Sequence, residues 1–383
     1  MEKLSMQDAT FLYSETDKVL NQIASLQQFE LPKDVTPQSF VTNLRTYLMD
    51  RIHLLPYLTR KVRMIPGGID HAVWVRDGNF DIHNHVVEVP LEAPGTFEQL
   101  QAKVAELHSI PMNRIRPLWL QDGTVAYYAQ VHHACVDGMA GQAMTMTLTD
   151  DTPEPQAKHC PADFIQDENP SMAELLSASL QNLMSYQSGS MARTSGMMKT
   201  ATRLGQRMID PGKSFGALGQ TAPDTAFNQS IGRDRTFACT KIPLTDVKKI
   251  GKTMGASVND VFLTVCAGAL RRYLARKNQL PRRNLIAGCP VAIPRAAHSN
   301  QGNSVSMMSV DLFTSVADPR VRLLRVKSSA NTAKEVTAEL AEGMDSNVSL
   351  LGLPLLTQAA SWVNELSRAS DTMTMPFNVV VSN

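Results

Sequence analysis

The sequence predicts an α/β protein of two lobes, built from mixed sheets with flanking helices. Apolar residues at helical spacing alternate with short β-branched runs up to about residue 165, and this alternation resumes after residue 230. The stretch between them is rich in Ser, Met, Gln and Gly and has weak apolar periodicity. Since an ordinary domain has ~100–200 residues, we expect an N-terminal lobe over 1–165, a crossover linker over 166–230 and a C-terminal lobe over 231–383.

Helices in the first lobe are predicted from apolar spacing and helix-start residues. Phe40, Leu44 and Leu48 fall on one helical face, and Thr96 is placed to cap a helix. Strands are predicted where β-branched and aromatic residues cluster. The expected elements are a helix at Pro37–Met49, strands at Ala72–Val75 and His85–Val89, a helix at Thr96–His108, a strand at Gly123–His132 and a helix at Gly141–Leu148.

The same sequence signals predict the helices and strands of the linker and the C-terminal lobe. Gly255 is placed to end one helix, and Ser257 or Asn259 to cap the next, with Asp260 in its first turn. The expected elements are a helix at Ser171–Tyr186, a loop at Asp210–Phe227, a strand at Thr236–Ile242, helices at Leu244–Met254 and Ser257–Ala275, strands at Leu285–Pro290 and Ser304–Leu312, a helix at Pro319–Leu340 and a buried strand at Phe377–Ser382.

Composition and charge exclude several classes of protein. Lys and Arg number 37 against 36 Asp and Glu, so the basic excess of a nucleic-acid-binding protein is missing. No run approaches the ~18 apolar residues of a membrane-spanning helix. The five cysteines are scattered without a CxxC pair, which argues against a disulfide framework or a cysteine zinc site. The N-terminus lacks a signal-peptide pattern, so we expect a cytoplasmic protein.

The strongest chemical feature is a pair of histidines at the end of a predicted strand. His132 and His133 are followed by Asp137 and Gly138. An imidazole at a strand end can project into a cleft, and with an ordinary pKa of about 6.5 it accepts a proton from a hydroxyl at neutral pH. Gly138 permits a close backbone approach that a side chain would block.

Other interpretations of the pair must be weighed against general base catalysis. One interpretation is a structural pair whose ring nitrogens hydrogen-bond within the protein. Another is a metal site, with His83 and His85 available as further ligands, although no spacing requires them. Cys135 could be a nucleophile beside His133. Neighbouring side chains on a turn seldom face each other, so we interpret Cys135 as a small apolar filler.

The spacing of these residues resembles the HHxxxDG signature of the CoA-dependent acyltransferase superfamily, which includes chloramphenicol acetyltransferase and the condensation domains of peptide synthetases. Further blocks, in the same order from residue 8 to residue 383, narrow the resemblance to the bacterial wax ester synthase/diacylglycerol acyltransferase family. The blocks are Asp8–Leu12, Phe80–Val86, Arg116–Trp119, Ser257–Val261, Gly268–Leu274, Gly302–Asn303 and Phe377–Asn383.

The chain departs from the family pattern at two places. Only Leu120 and Gln121 separate Trp119 from the Asp-Gly before the histidine strand, where family members usually carry another strand. The chain also stops at Asn383, where the family continues with a further small α/β segment. We therefore expect a truncated C-terminal lobe, which puts the activity of this chain in question.

The resemblance implies a chloramphenicol acetyltransferase-like fold and transfer of a long-chain acyl group from acyl-CoA to a fatty alcohol or diacylglycerol. His133 would be the general base, and neither a cofactor nor a metal is implied, because acyl-CoA is a substrate. Two alternatives are a condensation-type acyltransferase with a carrier-bound donor and a non-catalytic lipid-binding protein. The PLW block at Arg116–Trp119 and the Asn-Asp helix start at Ser257–Val261 favour the lipid acyltransferase.

The resemblance also assigns the residues around the base. His132 would orient the loop. Asp137 would hold the turn by pairing with an arginine, for which Arg295 is a candidate. Gly138 would allow a backbone conformation that a side chain would block. Asn259 would either donate a hydrogen bond in the active site or cap its helix. The same choice applies to Asp260, with an electrostatic role at the helix start slightly favoured.

The remaining assignments concern the substrate tunnel and the lipid partner. Trp119 would pack beneath the tunnel, while Asn378 and Ser382 would line it or lie on an ordinary buried strand. The expected partners are acyl-CoA and a long-chain alcohol or diacylglycerol, without nucleic acid. The segment Met191–Met208 suggests an interfacial surface for the inner membrane or lipid inclusions, or simply a flexible crossover.

Overall fold

The computed structural model describes most of the chain and defines its helices and strands. The described residues are 1–31, 33–111, 116–119, 124–136, 138–150, 152, 156, 158–188, 190–292, 305–341, 352–368, 371 and 373–382. The helices are α1 Met6–Tyr13, α2 Pro37–Arg51, α3 Ile82–His85, α4 Phe97–His108, α5 Gly138–Leu148, α6 Met172–Ser188, α7 Ser190–Ile209, α8 Leu244–Met254, α9 Val258–Arg276, α10 Pro319–Ala341 and α11 Leu353–Ser367. The strands are β1 Glu2–Lys3, β2 Gln22–Glu30, β3 Arg60–Arg63, β4 Val73–Arg76, β5 Arg116–Trp119, β6 Thr124–His132, β7 Ile286–Ala292, β8 Val305–Asp311 and β9 Val379–Val380.

The described strands form three sheets of three strands each. Two are antiparallel, in the orders β1-β4-β3 and β2-β6-β5. The third, β8-β7-β9, is mixed, because β7 runs antiparallel to β8 and parallel to β9. The expected α/β class with a mixed sheet and flanking helices is confirmed.

The sheet β2-β6-β5 organises the first part of the chain. Strand β6 pairs with β2 over nine residues, from Thr124 opposite Glu30 to His132 opposite Gln22. Because successive side chains alternate between faces, Ala126 and Tyr128 pack against α4 in one buried cluster. On the opposite face of β6, Tyr127 and Ala129 line two cavities together with residues of α2 and α5.

The second part of the chain has its own core, in which α9 and α10 pack against β7 and β8. Leu263, Ala267 and Leu274 of α9 are all buried there, together with Val326 and Ala330 of α10. Helix α7 joins α10 through Arg207 and the carboxylates of Glu335 and Glu339. Helix α7 is therefore tied to the core formed by α9, α10, β7 and β8.

Most predicted elements are confirmed. The helices from Pro37, Thr96, Leu244 and Ser257 begin as expected, and Thr96 accepts a hydrogen bond from the Gln99 backbone N–H in a capping box. The loop after Asp210 is confirmed apart from one short turn at Ala226–Asn228. The strands that end at His132 and begin near Leu285 and Ser304 are confirmed too.

Three strand predictions are wrong. Residues 85–89 lie at the end of α3 and beyond it, because the Asp81 side chain accepts the His83 backbone N–H and starts a helical turn. Residues 236–242 form neither strand nor helix. At the C-terminal end only Val379–Val380 is a strand, and Val380 is 56% exposed rather than buried.

The crossover is more ordered than the sequence suggested. Its second half forms the twenty-residue helix α7, whose inward stripe includes Thr200 and Arg207. No single helix of the described residues is long and apolar enough to cross a membrane; only α8 and α9 taken together, bent by 104°, pass that test.

A buried arginine fastens α2 to the segment after α5. Arg51 is 1% exposed, donates to Asp150 Oδ2 and to the Gln156 carbonyl, each at 2.7 Å, and lies over the Tyr47 ring. We predict that Arg51→Met lowers the free energy of unfolding by about 3 kcal/mol, because Asp150 is left buried without its counter-charge.

Urea denaturation measures this difference, with Lys103→Met as the control. That substitution breaks an exposed ion pair to Glu106 and should cost less than about 1 kcal/mol. Equal costs for the two substitutions would contradict the assigned role of Arg51.

Candidate active site

The two histidines are positioned by the pairing of β2 with β6. His132 is the last residue of β6, and His133 opens the turn that leads towards α5. The His133 backbone N–H donates to the Asn21 carbonyl at 2.8 Å, and the Cys135 N–H donates to the His132 carbonyl at 2.9 Å. The backbone on both sides of the His133 side chain is therefore fixed.

The imidazole of His133 stacks on an aromatic ring from the first helix. Its ring centroid lies 3.9 Å from that of Phe11, and the two planes are inclined by only 12°. Phe11 is held in α1, where the Ser5 hydroxyl accepts the Asp8 backbone N–H and caps the helix. The opening block of the sequence thus acts as a wall against His133, a role that block spacing alone could not reveal.

His132 is held by a hydrogen bond at one of its ring nitrogens, and the other lies near a carboxylate. Nδ1 accepts the Ala134 backbone N–H at 3.0 Å, so in the neutral ring the proton belongs on Nε2. Nε2 lies 3.4 Å from the Glu15 carboxylate. This arrangement fits a residue that orients the turn. Glu15 is a second neighbour of the site that sequence reasoning missed.

A cavity of about 470 Å³, here called the near cavity, lies beside this turn. His132 and Cys135 line it on either side of His133 in the sequence, together with Gln130 and Glu15. Most of its wall is apolar and aromatic, and includes Leu12, Ile52, Leu58, Trp74, Phe80 and Leu148. Ligand sites of this size and lining accept apolar molecules with few polar groups.

A second cavity of about 390 Å³, the far cavity, adjoins the near cavity. It lies against α2 and α5 and is lined by Phe40, Leu44 and Tyr47, among others. The two cavities share five lining residues, namely Leu48, Tyr127, Ala129, Met144 and Leu148. These five residues therefore belong to the walls of both cavities.

Burial keeps two tyrosines and one cysteine of the near cavity neutral. Burial raises the pKa of Tyr57 to about 12, and it raises the pKa of Tyr127 as well. Burial, with the neighbouring Asp8 carboxylate, raises the pKa of the Cys135 thiol to about 12. A thiol with such a pKa carries almost no thiolate at neutral pH, which fits the interpretation of Cys135 as filler.

Two further groups at the site were candidates for metal binding. His83 is exposed and bonds Asp81, while His85 stacks on Phe80 at the edge of the near cavity. Within the part of the chain that the structure describes, no three His, Cys, Asp or Glu side chains form a cluster that could hold a metal ion.

Of four other predicted site residues, two lie outside the described residues and two lie at the ends of described elements. Asp137 lies outside the described residues, as does Arg295, its candidate partner. Gly138 begins α5, and Trp119 ends β5 opposite Val125, although its side chain is not described.

The start of α9 is built as a capping box. Ser257 caps the helix, and Asp260 Oδ2 accepts the Ser257 backbone N–H at 2.8 Å and its hydroxyl at 2.7 Å. Asp260 is 3% exposed. Asn259 is half-buried and is not the cap, so the capping alternative for it is wrong.

The last two predicted residues lie beside β9. Asn378 is buried, and its amide group donates to the Pro223 carbonyl at 2.7 Å and to Asn228 Oδ1 at 2.6 Å. Its oxygen accepts the Ile286 backbone N–H. Both polar ends of Asn378 thus bond within the protein and tie the loop before residue 230 to β7. Ser382 is exposed.

Comparison with known proteins assigns the chain to a family. The model of the wax ester synthase/diacylglycerol acyltransferase catalytic domain matches residues 4–262, and that of the WS/DGAT C-terminal domain matches residues 301–383. A Mycobacterium tuberculosis protein whose name describes it as a diacylglycerol O-acyltransferase is 31% identical, across 100% of this chain and 82% of that protein. A second M. tuberculosis protein with a name of the same kind is 30% identical, across 98% of this chain and 82% of that protein.

Solved structures agree on the fold. The wax ester synthase/diacylglycerol acyltransferase from Marinobacter aquaeolei VT8 superposes with a TM-score of 0.64 at 23% identity, covering 100% of this chain and 81% of that one. The first condensation domain of the calcium-dependent antibiotic synthetase gives a TM-score of 0.52 at 12% identity, covering 88% and 76%. The family models and the relatives lead to one conclusion: the chain belongs to the wax ester synthase/diacylglycerol acyltransferase family.

Proposed function

We propose that this protein transfers a long-chain acyl group from acyl-CoA to the hydroxyl of a fatty alcohol or diacylglycerol, with His133 as the general base. The observation that carries the proposal is the placement of His133, in a fixed turn between two residues that line an apolar cavity. The family assignment supplies the class of reaction.

The chemistry needs one proton carrier and no covalent intermediate. His133 takes the proton of the acceptor hydroxyl while the oxygen attacks the thioester carbonyl carbon. The tetrahedral intermediate then collapses, the C–S bond breaks and the CoA thiolate takes the proton back from His133. General base catalysis of this kind contributes about 10²–10⁴-fold to the rate.

The surroundings of His133 suit this task. The Phe11 ring holds the plane of the imidazole and allows little rotation, which favours a productive alignment with the hydroxyl. An alkyl chain against the apolar part of the near cavity would displace water, which would favour acyl transfer to an alcohol over hydrolysis. His132, held by the Ala134 backbone N–H, would keep the turn in place without exchanging protons with substrate.

The substrates are lipids, and two helices expose apolar stripes that suit a lipid surface. On α6 the stripe is Met172, Leu176, Leu180 and Met184, spaced four residues apart and 36% to 72% exposed. On α11, Leu356, Val363 and Leu366 are each more than 60% exposed. Both helices contact the same short turn, Pro66–Gly68.

Helix α7, within which the sequence suggested an interfacial segment, carries positive charge as well as exposed apolar residues. It exposes Met197, Met198 and Met208, carries Lys199 and Arg203, and contains no acidic residue. Apolar stripes beside positive charge are typical of helices that lie on anionic lipid surfaces. The protein would thus bind peripherally where its acceptor and product accumulate.

We predict that His133→Ala lowers acceptor-dependent CoA release from palmitoyl-CoA at least about 100-fold, because the proton carrier is lost. Thiol release with hexadecanol or dipalmitoylglycerol measures the effect. His83→Ala, which removes an exposed imidazole, is the control and should leave the rate unchanged. A His133→Ala protein with the rate of the native chain would refute the assignment of the base.

We predict that Cys135→Ala retains CoA release within about threefold of the native rate, because the buried thiol takes no part in a reaction limited by base catalysis. In native protein the Cys135 thiol should also resist alkylation at pH 8, well below its raised pKa of about 12, while exposed Cys239 reacts. Complete loss of CoA release on this substitution would instead point to an acyl-enzyme.

We predict that the double substitution Leu180→Glu and Met184→Glu lowers binding to phosphatidylglycerol vesicles at least about tenfold, because two apolar contacts are replaced by charges. Vesicle co-sedimentation measures the bound fraction. The control, Gln181→Glu, adds a negative charge at a neighbouring exposed position of α6. If the double variant and the control bind equally, α6 is not part of the lipid-binding surface.

A further inference from the structure

Two arginine side chains from neighbouring helices are held side by side at the segment between β8 and α10. Arg271 of α9 donates through Nη1 to the Thr314 carbonyl at 2.6 Å and to the Ser315 carbonyl at 3.3 Å. Arg322 of α10 donates through Nη1 to the next carbonyl, that of Val316, at 2.8 Å. Three consecutive carbonyls thus bring the two guanidinium groups together.

A third arginine and a glycine of α9 complete this arrangement. Gly268, Arg271 and Arg272 are spaced three and four residues apart, so they lie on the same side of α9. A Cβ atom at Gly268 would lie 3.1 Å from Nη2 of Arg322, so a side chain there would press on the guanidinium. Burial lowers the pKa of Arg322, and the nearby charges of Arg271 and Arg272 lower it further. Arg271, Arg272 and Arg322 are here called the arginine cluster.

The arginine cluster carries more positive charge than its surroundings neutralise. Among the residues that the structure describes, none of its three members forms an ion pair. The Asp318 carboxylate acts on Arg322, but its Oδ1 accepts the backbone N–H groups of Arg320 and Val321 at the start of α10. That helix start has a partial positive charge of its own, which adds to the excess.

Arg322 lies at the buried base of the arginine cluster. It is 6% exposed, and its Nε is buried without a hydrogen-bond partner among the described residues. Within the same residues its Nη2 also has no partner. A buried charge with unused donors is costly to the folded protein, and a bound anion would offset that cost. Arg272 is exposed and Arg271 half-buried, so solvent reaches the outer side of the cluster.

We propose that the arginine cluster is a binding site for a phosphate group. Guanidinium groups bind phosphate oxygens through paired, charge-assisted hydrogen bonds, and the N-terminus of a helix favours the same negative charge. None of the three arginines lines the near or the far cavity, so the site does not depend on the proposed function. The phosphate belongs either to a lipid headgroup or to a soluble molecule, and the experiment distinguishes these two sources.

Binding of inorganic phosphate, followed by the broadening of its ³¹P resonance, tests the site directly. The double substitution Arg271→Gln and Arg272→Gln should weaken phosphate binding at least about tenfold, because two positive charges are lost. The control, Arg63→Gln, removes an exposed arginine of β3 that forms no ion pair with the described residues, and it should change binding less than about twofold. Equal phosphate binding by the double variant and the native protein would overturn the proposal.

A substitution that keeps every charge distinguishes a built site from a generally positive surface. Gly268→Ala should displace the Arg322 guanidinium by a few tenths of an ångström and weaken phosphate binding about threefold. Alanine is a better helix former than glycine, so α9 should stay folded. The matched control is Gly205→Ala in α7, where the described residues leave the space around the added Cβ open. Equal phosphate binding by the two alanine variants would also count against the site.

Vesicles identify the source of the phosphate. Phosphatidic acid carries a phosphate monoester and phosphatidylglycerol a diester, so each is mixed into phosphatidylcholine vesicles at matched total charge. If native protein binds the phosphatidic acid vesicles at least about threefold more tightly, and the double arginine variant loses this preference, the phosphate belongs to a lipid headgroup. If native protein shows no preference but binds inorganic phosphate through the arginine cluster, the phosphate belongs to a soluble molecule. Native protein that binds neither probe through these arginines would overturn the proposal.

Discussion

The antiparallel pairing of β6 with β2 is the constraint on which the rest of the site depends. The register that places His132 opposite Gln22 also brings the Asn21 carbonyl to the His133 backbone N–H. A shift of one residue would turn every side chain of β6 to the opposite face, which would move Tyr127 and Ala129 from the cavities into the cluster around α4. The position of the histidines and the cavities beside them are therefore set by one ladder of hydrogen bonds.

The same strand divides the apolar interior into two uses. On one face, Ala126 and Tyr128 pack against α4 in a buried cluster. On the other face, Tyr127 and Ala129 line two cavities, where the dispersion contacts of a filled core are missing. Under the proposed function, a lipid chain that entered these cavities would restore such contacts.

The sequence predicted what depends on local signals. The capping box at Thr96, the left-handed Gly255 that ends α8 and the strand that leads to His132 were all legible from neighbouring residues. Strand β2 was missed, because its polar residues follow no clear alternation and it is defined only by its partner β6. The role of Phe11 was missed for a similar reason, since its contact with His133 joins residues far apart in the chain.

Side-chain hydrogen bonds between distant segments account for much of what the sequence could not predict. The sequence left Asn378 either on the substrate tunnel or on an ordinary buried strand, and its amide bonds Pro223, 155 residues away in the sequence. No periodicity or local spacing encodes such a partner. Tertiary structure also decided between Ser257 and Asn259 as the cap of α9, although both residue types favour that position.

The most direct test of the account is chemical rescue of His133→Ala by imidazole. If His133 carries the proton between the acceptor hydroxyl and the CoA thiolate, added imidazole should enter the space beside Phe11 and restore acceptor-dependent CoA release in proportion to its concentration. The same addition should leave the native protein unaffected. A variant that folds, binds long-chain alcohols and still shows no recovery with imidazole would contradict the central claim that His133 acts as the base.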